Sequence, residues 1–306
     1  GIPFITAYNI ISSIYRGLGD SKSPMYIIAI ACLLNIILDY IFIGSFHMGP
    51  IGAALGTTVS QSVSVIIALI SMKYRTSDIH IKKEDLHLQS QVFKHILKVG
   101  FPVAIQDGCV QIAFMIITII ANSRGLNDAA AVGIVEKMIT AIFIIPSTML
   151  ATVSALSAQN IGAKDYGRAR TVLKYAVMIT TLYGIIVALI VECAAPTLLG
   201  LFTKDTTVIL LGVQYISSYI MDTIFAGIHF CFSGYFAADG KSYIGFIHNI
   251  IAISLVRVPG SYIASIMYPH NLFPMGLAAP LGSLLSVIIC LIAYRILKKK
   301  DELSVL

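Results

Sequence analysis

A chain of 306 residues that is 57% hydrophobic and 12% charged, with no Trp and a mean hydropathy of +0.87, lies far from the composition of a soluble domain. It reads as an all-α, polytopic membrane protein. The net charge of +6 comes without aromatic residues interleaved among the basic ones, which argues against a nucleic-acid surface, and Cys32, Cys109, Cys193, Cys231 and Cys290 stand singly, without metal or disulfide spacing.

The first 15 residues form an apolar helix that reaches only about 22 Å at ~1.5 Å per residue. Because the chain opens on Gly1 rather than Met, this helix is expected to be a span cut short. It lacks the basic n-region and cleavage motif of a signal peptide. The turn that follows, Arg16-Gly17-Leu18-Gly19-Asp20-Ser21-Lys22-Ser23-Pro24, joins backbone-permissive glycines to a proline suited to a helix start. It reads as a tight cytoplasmic turn, with a contribution to gating as the alternative.

The next apolar run, residues 24–44, carries Asn35 and Asp39 one helical turn apart on a single face. An unpaired ionisable group inside a span costs roughly 3 kcal/mol or more and is a functional candidate by default. The following span, 51–72, holds Thr57. In an antiparallel hairpin Asp39 and Thr57 both lie roughly 8 Å deep at ~1.5 Å per residue. A hydrogen bond between helices is the structural alternative to an ion site.

Residues 73–98 form a polar linker. Its second half places Val92, Phe93, Ile96 and Leu97 opposite Lys94, His95 and Lys98, predicting an amphipathic helix on the inner membrane surface. Six spans follow, near 99–121, 130–153, 171–195, 208–231, 244–267 and 275–297, each long enough for the ~20 residues that a crossing requires. Asp107 and Asp222 are expected about 21 Å deep and Arg257 about 15 Å deep, a difference an arginine side chain can bridge. Arg257 is therefore expected to pair with one or both, with Pro259 loosening the helix beside it. Glu136 is a candidate substrate contact, while its neighbour Lys137 can snorkel outward. Glu192 reads as interfacial. His229 and His248 are candidate proton relays or buried hydrogen-bonding residues. Phe114, Met115, Phe143, Met149, Met178, Met221 and Phe225 are candidates for an adaptable wall or for plain packing.

Basic residues fix the expected orientation. Seventeen, from Arg16 to Lys300, fall in one set of alternate loops, and two, Arg124 and Lys204, fall in the other. This places the C-terminus inside. A weak repeat also spans the linker: YRGLGDSKS at 15–23 resembles YFAADGKS at 235–242, and IGAALG at 51–56 resembles LAAPLG at 277–282. The first three helices thus correspond to the seventh to ninth, dividing the chain into 1–72, the linker 73–98, and a six-helix part, 99–300.

The segment from Arg16 to Pro24, Asn35 with Asp39, and Gly49-Pro50-Ile51-Gly52-Ala53-Ala54 together resemble the fourth to sixth helices of MATE (multidrug and toxic compound extrusion) transporters, in the DinF/MepA-like branch. Ala158-Gln159-Asn160-Ile161-Gly162-Ala163 and Gly100-Phe101-Pro102 resemble segments of the family's second half. The resemblance implies nine transmembrane helices of a two-lobe bundle of six plus six, with three further spans expected before Gly1. It implies a monomeric transporter of the plasma (inner) membrane that exports cationic amphipathic compounds in exchange for protons or sodium ions, without a cofactor. Asn35, Asp39 and Thr57 would line the coupling-ion pocket, with Na⁺ as the one metal expected. Asp107 and Asp222 fall about one turn away from the acidic positions of another branch of the family, so a structural ion pair and a second coupling site stay open for them. A lipid or polysaccharide-precursor flippase is the alternative function, disfavoured because the spans hold only Lys137 and Arg257 for a phosphorylated headgroup. No GxSxG, HExxH or P-loop signals an enzyme.

Overall fold

The computed structural model describes residues 1–75 and 89–303, and every regular element within them is helical. Helix α1 covers Ile2–Gly17, α2 Lys22–Asp39 and α3 Gly49–Arg75, with a π-helical segment, Tyr40–Ser45, continuing α2. Further along are α4 (Ser90–Arg124), α5 (Leu126–Ile142), α6 (Ile144–Gly162), α7 (Tyr166–Gly200), α8 (Thr206–Tyr219) and α9 (Asp222–Ala238). Then come α10 (Ser242–Ala252), a second π-helical segment (Ile253–Arg257), α11 (Val258–Met267) and α12 (Phe273–Leu303).

Among the described residues seven helical stretches are long and apolar enough to cross a membrane, and the pair α8–α9, bent by 42°, would make an eighth. These stretches overlie the eight apolar runs read from the sequence. Helix α1, at 16 residues, is shorter than a crossing. Large apolar side chains such as Leu33 (63% exposed), Ile36 (65%) and Leu189 (63%) point outward. That pattern suits hydrocarbon as the surrounding solvent.

The chain divides into two compact units, at residues 88 and 89. In the first, α3 packs along both α2 and α1. Tyr8 donates its hydroxyl to the Pro24 carbonyl at 2.7 Å, and Tyr15 donates to Ser71 Oγ at 3.1 Å, so each tyrosine fixes α1 against a neighbouring helix. The turn before α2 works through Asp20. Its Oδ1 accepts the N–H groups of Lys22 and Ser23, each at 3.0 Å, while Ser23 Oγ donates to Oδ2 at 2.6 Å. These bonds satisfy donors that the helix start leaves open. Of the two glycines expected to permit the turn, Gly19 adopts a positive φ of 87°, whereas Gly17 ends α1.

In the second unit α9 is central, lying against α6, α7 and α12. Glycines permit close helix approaches: a Cβ on Gly184 would stand 2.9 Å from Ile224 Cα, and one on Gly227 would stand 3.0 Å from Thr180 Cβ. One core gathers Ile117, Val132, Val135, Val191, Leu199 and Tyr215, and a second gathers Val153, Leu173, Phe232, Tyr235 and Phe236.

The amphipathic stretch 90–98 is helical, but it forms the first turns of the continuous 35-residue α4 rather than a separate helix; residues 76–88 of the expected linker lie outside the described residues. Pro102 lacks one N–H inside α4. Ser242 Oγ donates to the Val99 carbonyl at 2.9 Å and ties the start of α10 to α4.

Arg124 ties the second unit together at the α4–α5 turn. It pairs through Nε with Asp128 at 2.6 Å, and its guanidinium donates to the carbonyls of Ser265 at 2.9 Å, Tyr268 at 3.2 Å and Pro269 at 2.9 Å. Substituting Arg124 with Met should therefore lower stability by about 2 kcal/mol, since hydrogen bonds to charged groups are worth more than neutral ones. A thermal-unfolding series in detergent checks this. Lys at this position should recover little, because it cannot reproduce the planar fork.

Candidate functional site

In the first unit, α2 delivers Asn35 and Asp39 to the same place. Asn35 Nδ2 lies 3.4 Å from Asp39 Oδ1, and both side chains are half-buried. The helix changes to π geometry immediately after Asp39, a departure found often at functional positions. Across the hairpin the residue facing the carboxylate is Gly56. A Cβ there would collide with Asp39 Oδ1 and lie 3.5 Å from the Asp39 backbone nitrogen. Thr57 is one residue on and exposed, and its hydroxyl donates to the Ala53 carbonyl of its own helix at 3.0 Å. Thus the structure joins Asn35 to Asp39 and places Thr57 at their level without a bond to either. Asp39 forms no ion pair among the described residues.

In the second unit the break between α8 and α9 sets Asp222 in the first turn of α9, with 0% exposure. The positive end of the helix dipole favours a carboxylate at that position. Arg257, at the end of the second π-helical segment, does not form the expected ion pair with it. Its Nη2 donates instead to Tyr219 Oη, and the guanidinium lies 4.9 Å from the Phe114 ring centroid and 5.6 Å from that of Tyr219. These are cation–π distances. Both Asp222 oxygens and Arg257 Nε are buried without hydrogen-bond partners. A cavity of about 90 Å³ is lined by Asp222, Arg257, His229, Asn249, Ser283 and Ser286. Asp107, also expected to pair with Arg257, is exposed and does not line that cavity.

His248 Nε2 is 2.9 Å from Ser233 Oγ, and its ring centroid is 5.4 Å from that of His229. The Nδ1 atoms of both histidines are buried and unpartnered. Of the two readings of these residues, His248 shows the buried hydrogen bond, and His229 lies on the cavity wall.

A larger pocket of about 540 Å³ opens beside Glu136, with Gln111, Lys137, Phe114, Phe143 and Phe230 among its lining residues. Thr118 Oγ1 lies 3.4 Å from Glu136 Oε2, while Glu136 Oε1 is buried and unpartnered. Phe143 and Phe230 meet edge to face at 6.2 Å. From the expected wall, Phe114 and Phe143 line the pocket, whereas Met115, Met178 and Met221 are exposed elsewhere and Met149 packs in a core. Glu192 is exposed on α7. Sequence reasoning missed Phe230, Tyr219 and Gly56. The one available signal was the spacing of Tyr215 and Tyr219, whose rings lie tilted with centroids 5.6 Å apart in the last turn of α8. Among the described residues no group of three or more His, Cys, Asp and Glu could hold a metal ion.

The sequence profile of the MatE family matches residues 1–41 and 102–263. The "Probable multidrug resistance protein YpnP" of Bacillus subtilis is 28% identical over 261 residues, covering 85% of this chain and 58% of that protein. The "Multidrug export protein MepA" of Staphylococcus saprophyticus is 25% identical, covering 78% of this chain and 53% of that protein. The chain thus spans little more than half the length of these relatives. Among solved structures, a crystal structure of MATE in the bent conformation superposes with a TM-score of 0.90 at 21% identity, covering 98% of this chain and 67% of that one. An outward-facing multidrug resistance MATE family transporter superposes at 0.88 with 22% identity, covering 94% and 65%.

Proposed function

The chain belongs to the MATE family, and from that premise we propose that it acts in the export of cationic amphipathic compounds by antiport with protons or sodium ions, through alternating access. The observation that carries the reading is the pocket of about 540 Å³ in which the carboxylate of Glu136 stands among Phe114, Phe143 and Phe230. Aromatic faces and a carboxylate recognise an aromatic cation through stacking, cation–π attraction and charge. The names of the relatives, a multidrug resistance protein and a multidrug export protein, point the same way. Coupling is assigned to Asp39 with Asn35. A proton or Na⁺ arriving from outside cancels the charge on Asp39, and loss of that charge shifts the transporter toward the state that releases drug. The excess of basic residues in alternate loops supports a cytoplasmic C-terminus in the plasma membrane.

The test is efflux of a cationic aromatic dye from vesicles containing the full-length protein, driven by an imposed proton or sodium gradient. Replacing Glu136 with Gln should raise KM for the dye about tenfold, equivalent to ~1.4 kcal/mol, with a smaller change for a neutral analogue. Absence of gradient-driven efflux in the unaltered protein would overturn the reading.

A further inference from the structure

The internal repeat relates α2 and α3 of the first unit to the α10–α11 segment and α12 of the second. The contacts inside each hairpin sharpen that relation. In the first unit Gly56 faces Asp39, and a Cβ on Gly52 would stand 3.0 Å from Phe42 Cβ. In the second unit a Cβ on Gly282 would stand 3.5 Å from Arg257 Cβ, and one on Gly260 would stand 3.2 Å from Ala278 Cβ. The spacing agrees on both helices. Asp39 precedes Phe42 by the same interval as Arg257 precedes Gly260, and Gly52 precedes Gly56 by the same interval as Ala278 precedes Gly282. Arg257 thus holds in its hairpin the place Asp39 holds in the other, with the charge inverted. Each also lies at an edge of a π-helical segment.

We propose that Arg257 is a tethered counter-cation, which does permanently in the second unit what an exchangeable cation does at Asp39 in the first, so that the second unit takes up no coupling ion. The proposal rests on the assignment of Asp39 as the coupling carboxylate. Its physical basis is the company Arg257 keeps. Asp222 on α9 lines the same cavity, Tyr219 on α8 accepts a hydrogen bond from Arg257, and the Phe114 ring beneath its guanidinium also lines the pocket of Glu136 on α5. His229 faces the same cavity and contacts His248, but both bury an unpartnered Nδ1 and supply no matching anion. Asp222 is fully buried beside Ser283 on the wall of the cavity that Arg257 also lines, and a positive charge in that cavity favours the carboxylate over the neutral acid. Arg257 supplies that charge without an ion pair, because its guanidinium donates to Tyr219 and lies over Phe114. At Asp39 no such cation is built in. Its recorded side-chain partner is Asn35, which is neutral.

The experiment counts bound cations on the full-length protein in detergent, using ²²Na⁺ binding together with proton uptake at neutral pH. The Asp39→Asn variant should lose the coupling cation and bind none in the second unit. Adding Arg257→Leu should restore about one cation per chain, since Asp222 is then left without a compensating charge. Arg257→Lys, which keeps the charge, should restore none, and Asp222→Asn should cancel the gain. A folded Asp39→Asn/Arg257→Leu protein that gains neither Na⁺ nor a proton overturns the proposal, as does a gain that survives Asp222→Asn. Should these variants fail to fold, the unaltered protein still decides: one cation per chain supports the proposal, and a second that requires Asp222 overturns it. If Asp39→Asn keeps the cation of the unaltered protein, the assignment of Asp39 fails instead, and Arg257→Leu alone still reports on the second unit.

Discussion

Asp39→Asn should reduce gradient-driven export to background while the protein still inserts and folds. The substitution preserves size and keeps a side-chain oxygen toward Gly56, whose missing Cβ makes room for the group. It also keeps a hydrogen-bonding partner for Asn35, now 3.4 Å from Asp39 Oδ1. What it removes is the charge, the property that coupling requires, because an amide neither exchanges a proton nor attracts Na⁺ with comparable strength. Export assays in vesicles and resistance assays in cells measure the loss, and gel filtration of the purified variant checks folding. Normal resistance in cells carrying the variant would sink the assignment. Gly56→Ala supplies a steric counterpart: its methyl would collide with the carboxylate, so coupling should weaken while the charge remains.

Gly234→Ala should lower the stability of the second unit. On α9, Gly234 sits where an added Cβ would meet the Leu150 carbonyl oxygen of α6 at less than van der Waals distance and would lie 3.2 Å from the Ser154 backbone nitrogen. Those atoms belong to a helix backbone and cannot rotate aside as a side chain would. Alanine favours helix over glycine by about 1 kcal/mol, but forcing two packed helices apart typically costs about 1–3 kcal/mol, and α9 is also held by α7 and α12. The net effect should be a fall in melting temperature and in the folded yield from membranes, growing steeply for Gly234→Val. A rise in melting temperature with Ala would show that α6 and α9 do not approach closely at this point. Gly17→Ala, with no atom near its would-be Cβ, serves as the neutral comparison.

Several features were legible because they depend on local chemistry. The apolar runs appear as helices of crossing length, since hydrocarbon contact demands an apolar stretch wherever the helix finally packs. The turn ahead of α2 was legible because glycine, aspartate and proline act on their immediate neighbours, as the Asp20 bonds to Lys22 and Ser23 illustrate. Asn35 and Asp39 were legible as a pair because helical periodicity alone puts them on one face. The ion pair expected of Arg257 failed for the opposite reason. Depth along a span says which residues share a level, but not which way each helix is rotated. Tyr219 and Phe114 capture the guanidinium, Asp222 lines the same cavity without pairing to it, and Asp107 is exposed.

By itself the sequence determined that the chain is a membrane protein built of helices, where its spans run, and which polar residues enter them, since each follows from hydropathy and one-dimensional spacing. The tertiary structure alone decided that α8 and α9 break beside Asp222, that Gly56 rather than Thr57 faces Asp39, and that Arg257 holds the equivalent place with the opposite charge. Those facts depend on helix rotation and on π-helical shifts in register. Both are set by packing between segments far apart in the chain, where propensity and periodicity carry no information.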